Sequence, residues 1–178
     1  MKGAKNIKAF FFDVDGTLTS GILIFGTKGE AYKTFHAQDG MALGLVHRIG
    51  YITGFITGRT SDIVRARAEE LKVDVLLMGV KDKVKAVSAV LEKYHLSWDE
   101  VAFMGDDLND LPLFDKVGVS GSPSNGVPEN LRRAEFISRC SGGNGAAREF
   151  IEEILKEQGR WDEAVASFYT EMGEIRSQ

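Results

Sequence analysis

Apolar residues along this chain follow two rhythms: short unbroken runs, and longer stretches where they return every third or fourth position. The runs at 7–14, 51–57, 73–78, 101–104, 117–120 and 135–138 predict buried strands. The stripe Met41, Leu43, Leu45, Val46 and Ile49 predicts a helix that follows Asp39-Gly40 and stops at Gly50. Ser61 is placed to cap a helix over 62–71 that turns Ile63, Val64 and Leu71 inward. Val84, Val87, Val90 and Leu91 mark one face of a helix over 81–94. Further helices are expected at 110–116, 130–134 and 146–157, and Ser97 to Glu100 has the spacing of a capping box. Strands and helices alternate from about residue 6 to 157, a pattern that predicts an α/β fold, a Rossmann-like three-layer sandwich with a central parallel sheet. One insertion breaks the alternation. Residues 21–36 form two strand-like runs around a glycine-bounded turn, a hairpin signal. Both faces of its first strand, 22–25, are apolar, and a lone hairpin cannot bury both, so it is expected to pack on another chain.

Composition narrows the class without naming a reaction. The chain has 178 residues, 43% hydrophobic and 27% charged, enough for one well-buried domain. Its net charge of −4 argues against nucleic acid or an anionic membrane as partner. A single cysteine, Cys140, excludes an intrachain disulfide and any multi-cysteine metal site. The apolar run after the first lysines is too short for a secretory signal and is interrupted by aspartates, and no stretch reaches the length of a membrane span. A cytoplasmic protein is expected.

The chemistry is concentrated where strands end. The aromatic run closes in Asp13-Val14-Asp15-Gly16-Thr17. Side chains of a strand alternate, so Asp13 and Asp15 are expected to point the same way, and Gly16 permits a tight turn. Alone, such a pair is more often a plain acidic turn. Two further strand ends change that. One offers Thr57-Gly58-Arg59, the other Gly105-Asp106-Asp107 with Asp110. Ligands of parallel sheets bind beyond these carboxyl ends. Lys83 stands just inside a helix start, where a cation sits poorly with the macrodipole and is a candidate partner for a phosphate. Carboxylates for a hard cation such as Mg²⁺, a hydroxyl and a lysine together suit phosphoryl transfer. In that reading Asp13 is the nucleophile and Asp15 the general acid and base. Thr57 and Lys83 hold the phosphoryl oxygens. Asp13, the backbone carbonyl of Asp15 and Asp106 hold the metal, supported by Asp107 or Asp110.

These four motifs, in this order, resemble the haloacid dehalogenase superfamily, over nearly the whole chain. The second aspartate, Asp15, favours a phosphatase over the superfamily's dehalogenases and ATPases. Most members carry a cap domain after the first motif or between the second and third. Here neither gap has room, so the resemblance is to the capless branch that includes the 3-deoxy-D-manno-octulosonate (KDO) 8-phosphate phosphatases. The segments Asp39-Gly40, Ile56-Thr57-Gly58-Arg59 and Gly142-Gly143-Asn144-Gly145-Ala146-Ala147-Arg148-Glu149 are similar to that branch, with Asn144 where it usually has arginine. The resemblance implies hydrolysis of a KDO 8-phosphate in lipopolysaccharide precursor synthesis, with Mg²⁺, in a homotetramer built by the hairpin. Relatives acting on nine-carbon acid phosphates, such as KDN or N-acylneuraminate 9-phosphate, tend to have glutamate where Arg59 stands. An arginine can pair with a substrate carboxylate, which favours the KDO substrate, with Gly58, Arg59 and Arg67 as contacts. A single domain over 1–158 is expected, followed by a tail over 159–178. That tail, with Trp161, Phe168, Tyr169 and Met172, keeps no single clean apolar face; it reaches a neighbouring active site or is disordered. Two alternatives stay open: a nine-carbon acid phosphatase, and a silent oligomerisation domain, against which no catalytic position is missing.

Overall fold

The structure, a computed structural model, describes the backbone of residues 1–176 and the side chains of residues 1–169. Its centre is strand β1 (Ala9–Phe12), and the reason is the run of three phenylalanines. Phe10, Phe11 and Phe12 are each completely buried. Their alternation feeds both faces of the sheet. Phe10 and Phe12 join the cluster with Val46, Tyr51 and Phe150, and Phe11 joins Val75, Val90 and Phe103 on the other side. Burying each such side chain is worth about 1.5–3 kcal/mol. That is enough to anchor polar residues placed directly after the strand.

The other strands are β2 (Ile24–Gly26), β3 (Gly29–Tyr32), β4 (Ile52–Ile56), β5 (Val75–Leu77), β6 (Val101–Met104), β7 (Val119–Ser122) and β8 (Phe136–Ile137). Six of them form one parallel sheet in the order β5-β4-β1-β6-β7-β8, as the alternation predicts. Phe12 lies level with Phe55 of β4 and Met104 of β6, so these three strands end together. Three of the sequence motifs sit just past that line. The helices are α1 (Ala37–Arg48), α2 (Asp62–Glu70), α3 (Lys83–Tyr94), α4 (Leu111–Phe114), α5 (Pro128–Arg133), α6 (Ala146–Glu157) and α7 (Trp161–Arg176). Helices α1, α2 and α6 cover the Phe10–Phe12 face, and α3 with α4 covers the other, completing three layers. Ser61 caps α2, its Oγ accepting from the Val64 amide at 3.3 Å. No cap domain is present among the described residues.

Two features differ from the expectations, and the hairpin leaves its apolar residues uncovered as expected. Strand β1 stops at Phe12, and the chain then turns, with the amides of Leu18 and Thr19 donating to the Val14 carbonyl at 3.0 Å. Asp13 and Asp15 therefore leave the strand before they can share one face. Residues 161–176 are helical. Ala164 is buried, and Trp161 and Phe168 pack on the core of this same chain. The remainder of that tail, including the side chain of Met172, lies outside the described side chains. Strand β2 pairs only with β3, antiparallel, and the hairpin exposes Ile22, Leu23, Ile24, Phe25 and Tyr32, so it folds onto no core of its own chain.

Candidate active site

Asp13 is the first residue beyond β1, and its amide donates to the Met104 carbonyl at 2.9 Å, so the neighbouring strand fixes its backbone. Its side chain meets Lys83. The Lys83 ammonium donates to Asp13 Oδ1 and to Asp110 Oδ1, both at 2.5 Å. Asp82, whose side chain accepts from the Lys85 amide, caps α3 and sets Lys83 as its first helical residue, buried. The unfavourable position against the helix macrodipole is thus offset by two carboxylates.

Asp106 follows β6, and Thr17 Oγ1 donates to its Oδ1 at 2.9 Å. Asp110 is fully buried. Its second oxygen, Oδ2, accepts from the amides of Asp106 and Asp107 at 3.0 and 3.2 Å. Asp107 behaves differently: it is exposed, and its carboxylate accepts from the Leu108 amide at 2.7 Å. Of the two residues put forward as support for the metal, Asp110 is the one aimed inward.

One carboxylate oxygen from each of Asp13, Asp106 and Asp110 lies within 4.8 Å of the others. One lysine faces this concentration of negative charge. Burial, with Asp110 and Asp106 adding to it against the opposing pull of Lys83, pushes the Asp13 carboxyl up to about 8. Burial likewise pushes Asp106 up to about 6; the Thr17 hydrogen bond pulls it down and Asp110 and Asp107 push it up. Burial draws Lys83 down, but Asp13 and Asp110 outweigh it, so it is held above the ordinary lysine value and stays charged. A site of hard oxygen donors that crowd one another in this way fits a divalent cation such as Mg²⁺.

Gly16 is required here, with φ +102° and an added Cβ that would lie 2.0 Å from Asp106 Oδ2. The loop at 141–145 closes over the same turn. Gly142 leaves no room for a side chain, since a Cβ would lie 1.8 Å from the Gly16 carbonyl oxygen. Asn125 ties the two segments, donating to the Gly16 carbonyl at 3.0 Å and accepting from the Gly142 amide at 2.5 Å.

Asp15 is half-buried and turns to another set of partners. Lys33 and Asp15 form an ion pair, and Arg59 Nε is 3.6 Å from Asp15 Oδ2. Lys33 also pairs with Glu30 at 2.9 Å, and Glu30 accepts from Arg59 Nη2 at 3.5 Å and from the Ser61 hydroxyl. The Arg59 guanidinium lies over the Phe25 ring of the hairpin. Thr57 is buried at the end of β4, its Oγ1 accepting from the Arg59 amide at 3.2 Å, and Gly58 is exposed beside it. Arg67 is engaged elsewhere, over the Phe35 ring and paired with Glu70 at 2.8 Å.

Sequence reasoning missed Lys33, Glu30 and Asn125. None lies in a motif, and only the fold brings the hairpin and the 123–126 turn against the 13–19 stretch. Thr17 stood inside a motif, but its bond to Asp106 depends on two strand ends meeting. A hollow of about 930 Å³ lies elsewhere, between Lys5, Lys8, Tyr51, Glu100 and Arg160 near the amino ends of the strands.

The family model for haloacid dehalogenase-like hydrolases matches residues 79–150. The chain is 37% identical over 164 residues to the 3-deoxy-D-manno-octulosonate 8-phosphate phosphatase KdsC of Escherichia coli, covering 92% of this chain and 87% of that one. The crystal structure of the phosphatase of that name from Moraxella catarrhalis, in complex with magnesium ion, phosphate ion and KDO, superposes with a TM-score of 0.89 at 38% identity, covering 93% of this chain and 95% of that one. The cobalt-bound deoxy-D-mannose-octulosonate 8-phosphate phosphatase of Haemophilus influenzae gives 0.86 at 31% identity, covering 89% and 93%.

Proposed function

We propose a reaction from the premise that this chain belongs to the haloacid dehalogenase-like hydrolases and, within them, to the family of the 3-deoxy-D-manno-octulosonate 8-phosphate phosphatases. It is a Mg²⁺-dependent phosphomonoesterase that converts KDO 8-phosphate to KDO and phosphate. The observation that carries this is the convergence of Asp13, Asp106, Asp110 and Lys83 just past the ends of adjacent strands.

Asp13 attacks the phosphorus, and the bond from phosphorus to the sugar oxygen breaks. Asp15 gives its proton to that leaving oxygen. It then takes a proton from the water that attacks the phosphorus of the aspartyl phosphate, releasing phosphate and restoring Asp13. Lys83, already charged and aimed at Asp13, quenches the phosphoryl oxygens together with Thr57 and the amides that follow it. Asp13, Asp106 and the Asp15 carbonyl would hold Mg²⁺, with Asp110 supporting them. When bound, the ion supplies positive charge against the transferring phosphoryl group. Gly58, Arg59 and Arg67 are the substrate contacts, and Arg59 is the one that reaches the acid cluster from the side of Asp15.

The exposed apolar hairpin supports a homotetramer in which it meets neighbouring subunits. No helix among the described residues is long and apolar enough to cross a membrane, and we place the enzyme in the cytoplasm. We further propose that the end of the 159–178 tail reaches a neighbouring active site.

Phosphate release from KDO 8-phosphate and KDN 9-phosphate, measured side by side with Mg²⁺, tests the substrate. KDO 8-phosphate is expected to lead by well over tenfold in kcat/KM, about 1.4 kcal/mol of discrimination. A lead for KDN 9-phosphate moves the substrate to nine carbons. Turnover of neither above the Asp13→Asn background removes the assignment.

A further inference from the structure

Asp13 and Asp15 stand two residues apart, yet only Asp13 is fixed by the sheet. Asp15 sits in the turn beyond β1, next to the left-handed Gly16. Its carboxylate meets Lys33 through one oxygen, while Oδ2 is buried without a hydrogen bond, 3.6 Å from Arg59. Lys33 is unusual in its own right. It follows an exposed hairpin strand, but its side chain is only 2% exposed. A buried ammonium group must have partners, and Lys33 has Asp15 and Glu30. Glu30 is itself anchored, by the Ser61 hydroxyl at the start of α2 and by Arg59. Arg59, Glu30, Lys33 and Asp15 thus alternate in charge from the hairpin to the turn, each sign facing the other. The four close a ring in which each charge faces two of opposite sign, so each member is held from two sides.

We propose that Lys33, braced by Glu30, is a positioning residue that fixes the Asp15 carboxyl group for proton transfer to and from the ester oxygen. The hairpin, then, aims the acid, and the sheet aims the nucleophile. This rests on the reading of Asp15 as general acid and base. The ester bond that breaks, the proton Asp15 gives and the proton it recovers from water are those of the reaction above; Lys33 keeps its own proton throughout.

The test uses leaving groups of unlike quality. A sugar alkoxide needs a proton to depart, whereas p-nitrophenolate leaves without one. Misplacing a reacting group by about 1 Å costs on the order of 100-fold. Lys33→Met is therefore expected to lower kcat for KDO 8-phosphate by about 30- to 100-fold, with KM within about threefold. Its kcat/KM for p-nitrophenyl phosphate, which reports only the steps through departure of the leaving group, falls by less than about fivefold. Asp15→Asn is expected to separate the two esters in the same way, and the double variant to lose little more than Asp15→Asn alone. Glu30→Gln, a second variant should Lys33→Met fold poorly, gives the same pattern with a smaller loss. A rise in KM with kcat unchanged would make Lys33 a substrate contact instead. Equal losses on both esters would make it structural. Either result overturns the proposal if Asp15→Asn separates the esters. If Asp15→Asn does not separate them, the reading of Asp15 itself falls.

Discussion

Lys83 and Lys33 each bury an ammonium group against one aspartate of the 13–15 stretch, and they arrive from opposite kinds of structure. Lys83 starts a helix packed on the sheet, and its partners Asp13 and Asp110 follow strands whose residues are wholly buried. Lys33 follows a two-stranded hairpin that pairs with no other strand among the described residues and displays Ile22, Phe25 and Tyr32. The first half of the site is held by the core of the subunit. The second is held by an element with an apolar face left uncovered in this chain. In the proposed mechanism, metal and nucleophile belong to the half held by the core. In the same mechanism, acid and substrate selection fall to the half built on the hairpin.

The largest effect should come from breaking the half held by the core. Lys83→Met leaves Asp13 and Asp110 facing each other without a cation. Phosphatase kcat is expected to fall by about 10²–10³-fold. The metal-free protein at pH 8 should lose about 3–5 kcal/mol in chemical denaturation, the cost of breaking a buried ion pair. An undiminished stability would mean that the lysine does not neutralise these carboxylates.

Next comes the uncovered half. Ile22→Ser combined with Tyr32→Ser should reduce the assembly to smaller species in sedimentation velocity, because both side chains are exposed on the single subunit. Calorimetric Mg²⁺ affinity should stay within about twofold, as expected of distant sites, while kcat/KM for the sugar phosphate drops. Loss of Mg²⁺ binding along with assembly would erase the distinction between the two halves.

The smallest effect is a pH dependence confined to the acid cluster. Asp13 is raised from 3.8 to about 8 and Asp106 to about 6, so the folded metal-free protein holds protons that the unfolded chain has released. The favourable contribution is complete below pH 4 and is lost as pH rises toward 8. Melting of the metal-free protein should fall over that window by on the order of a few degrees beyond the trend of an Asp13→Asn variant. Mg²⁺ should reverse the fall and release protons on binding. A metal-free protein whose melting follows the same pH trend as Asp13→Asn between pH 4 and 8 would contradict the crowding of charge seen here.

Sequence legibility followed the same division. Strand β6 and helix α6 lie where the pattern puts them, because each carries an unbroken apolar face. The central sheet, its order of elements and the strand-end motifs follow from that. Strand β7 lies two residues beyond its expected place. Its members Ser120, Gly121 and Ser122 are small or polar yet buried, and Gly121 has no side chain because the Phe150 ring fills the space, 2.9 Å from where a Cβ would be. Hydropathy does not report that kind of packing. Helix α7 was hidden for a different reason. Trp161, Ala164 and Phe168 keep helical spacing, but the exposed Tyr169 blurs the stripe. In the site, Asp13, Asp106 and Lys83 announced themselves through motif and position. Lys33 and Glu30 did not, since a lysine and a glutamate in a hairpin look like solvated surface until the fold turns that hairpin against Asp15.

In the proposed reaction Asp13 carries the phosphoryl group, and an acid quench can trap it there. Enzyme saturated with radiolabelled KDO 8-phosphate and Mg²⁺ would be quenched in acid, digested and mapped. Label is expected on the peptide containing Asp13, removable by hydroxylamine as an acyl phosphate, and none in Asp13→Asn. Label on another residue, or turnover by Asp13→Asn at the wild-type rate, would contradict it.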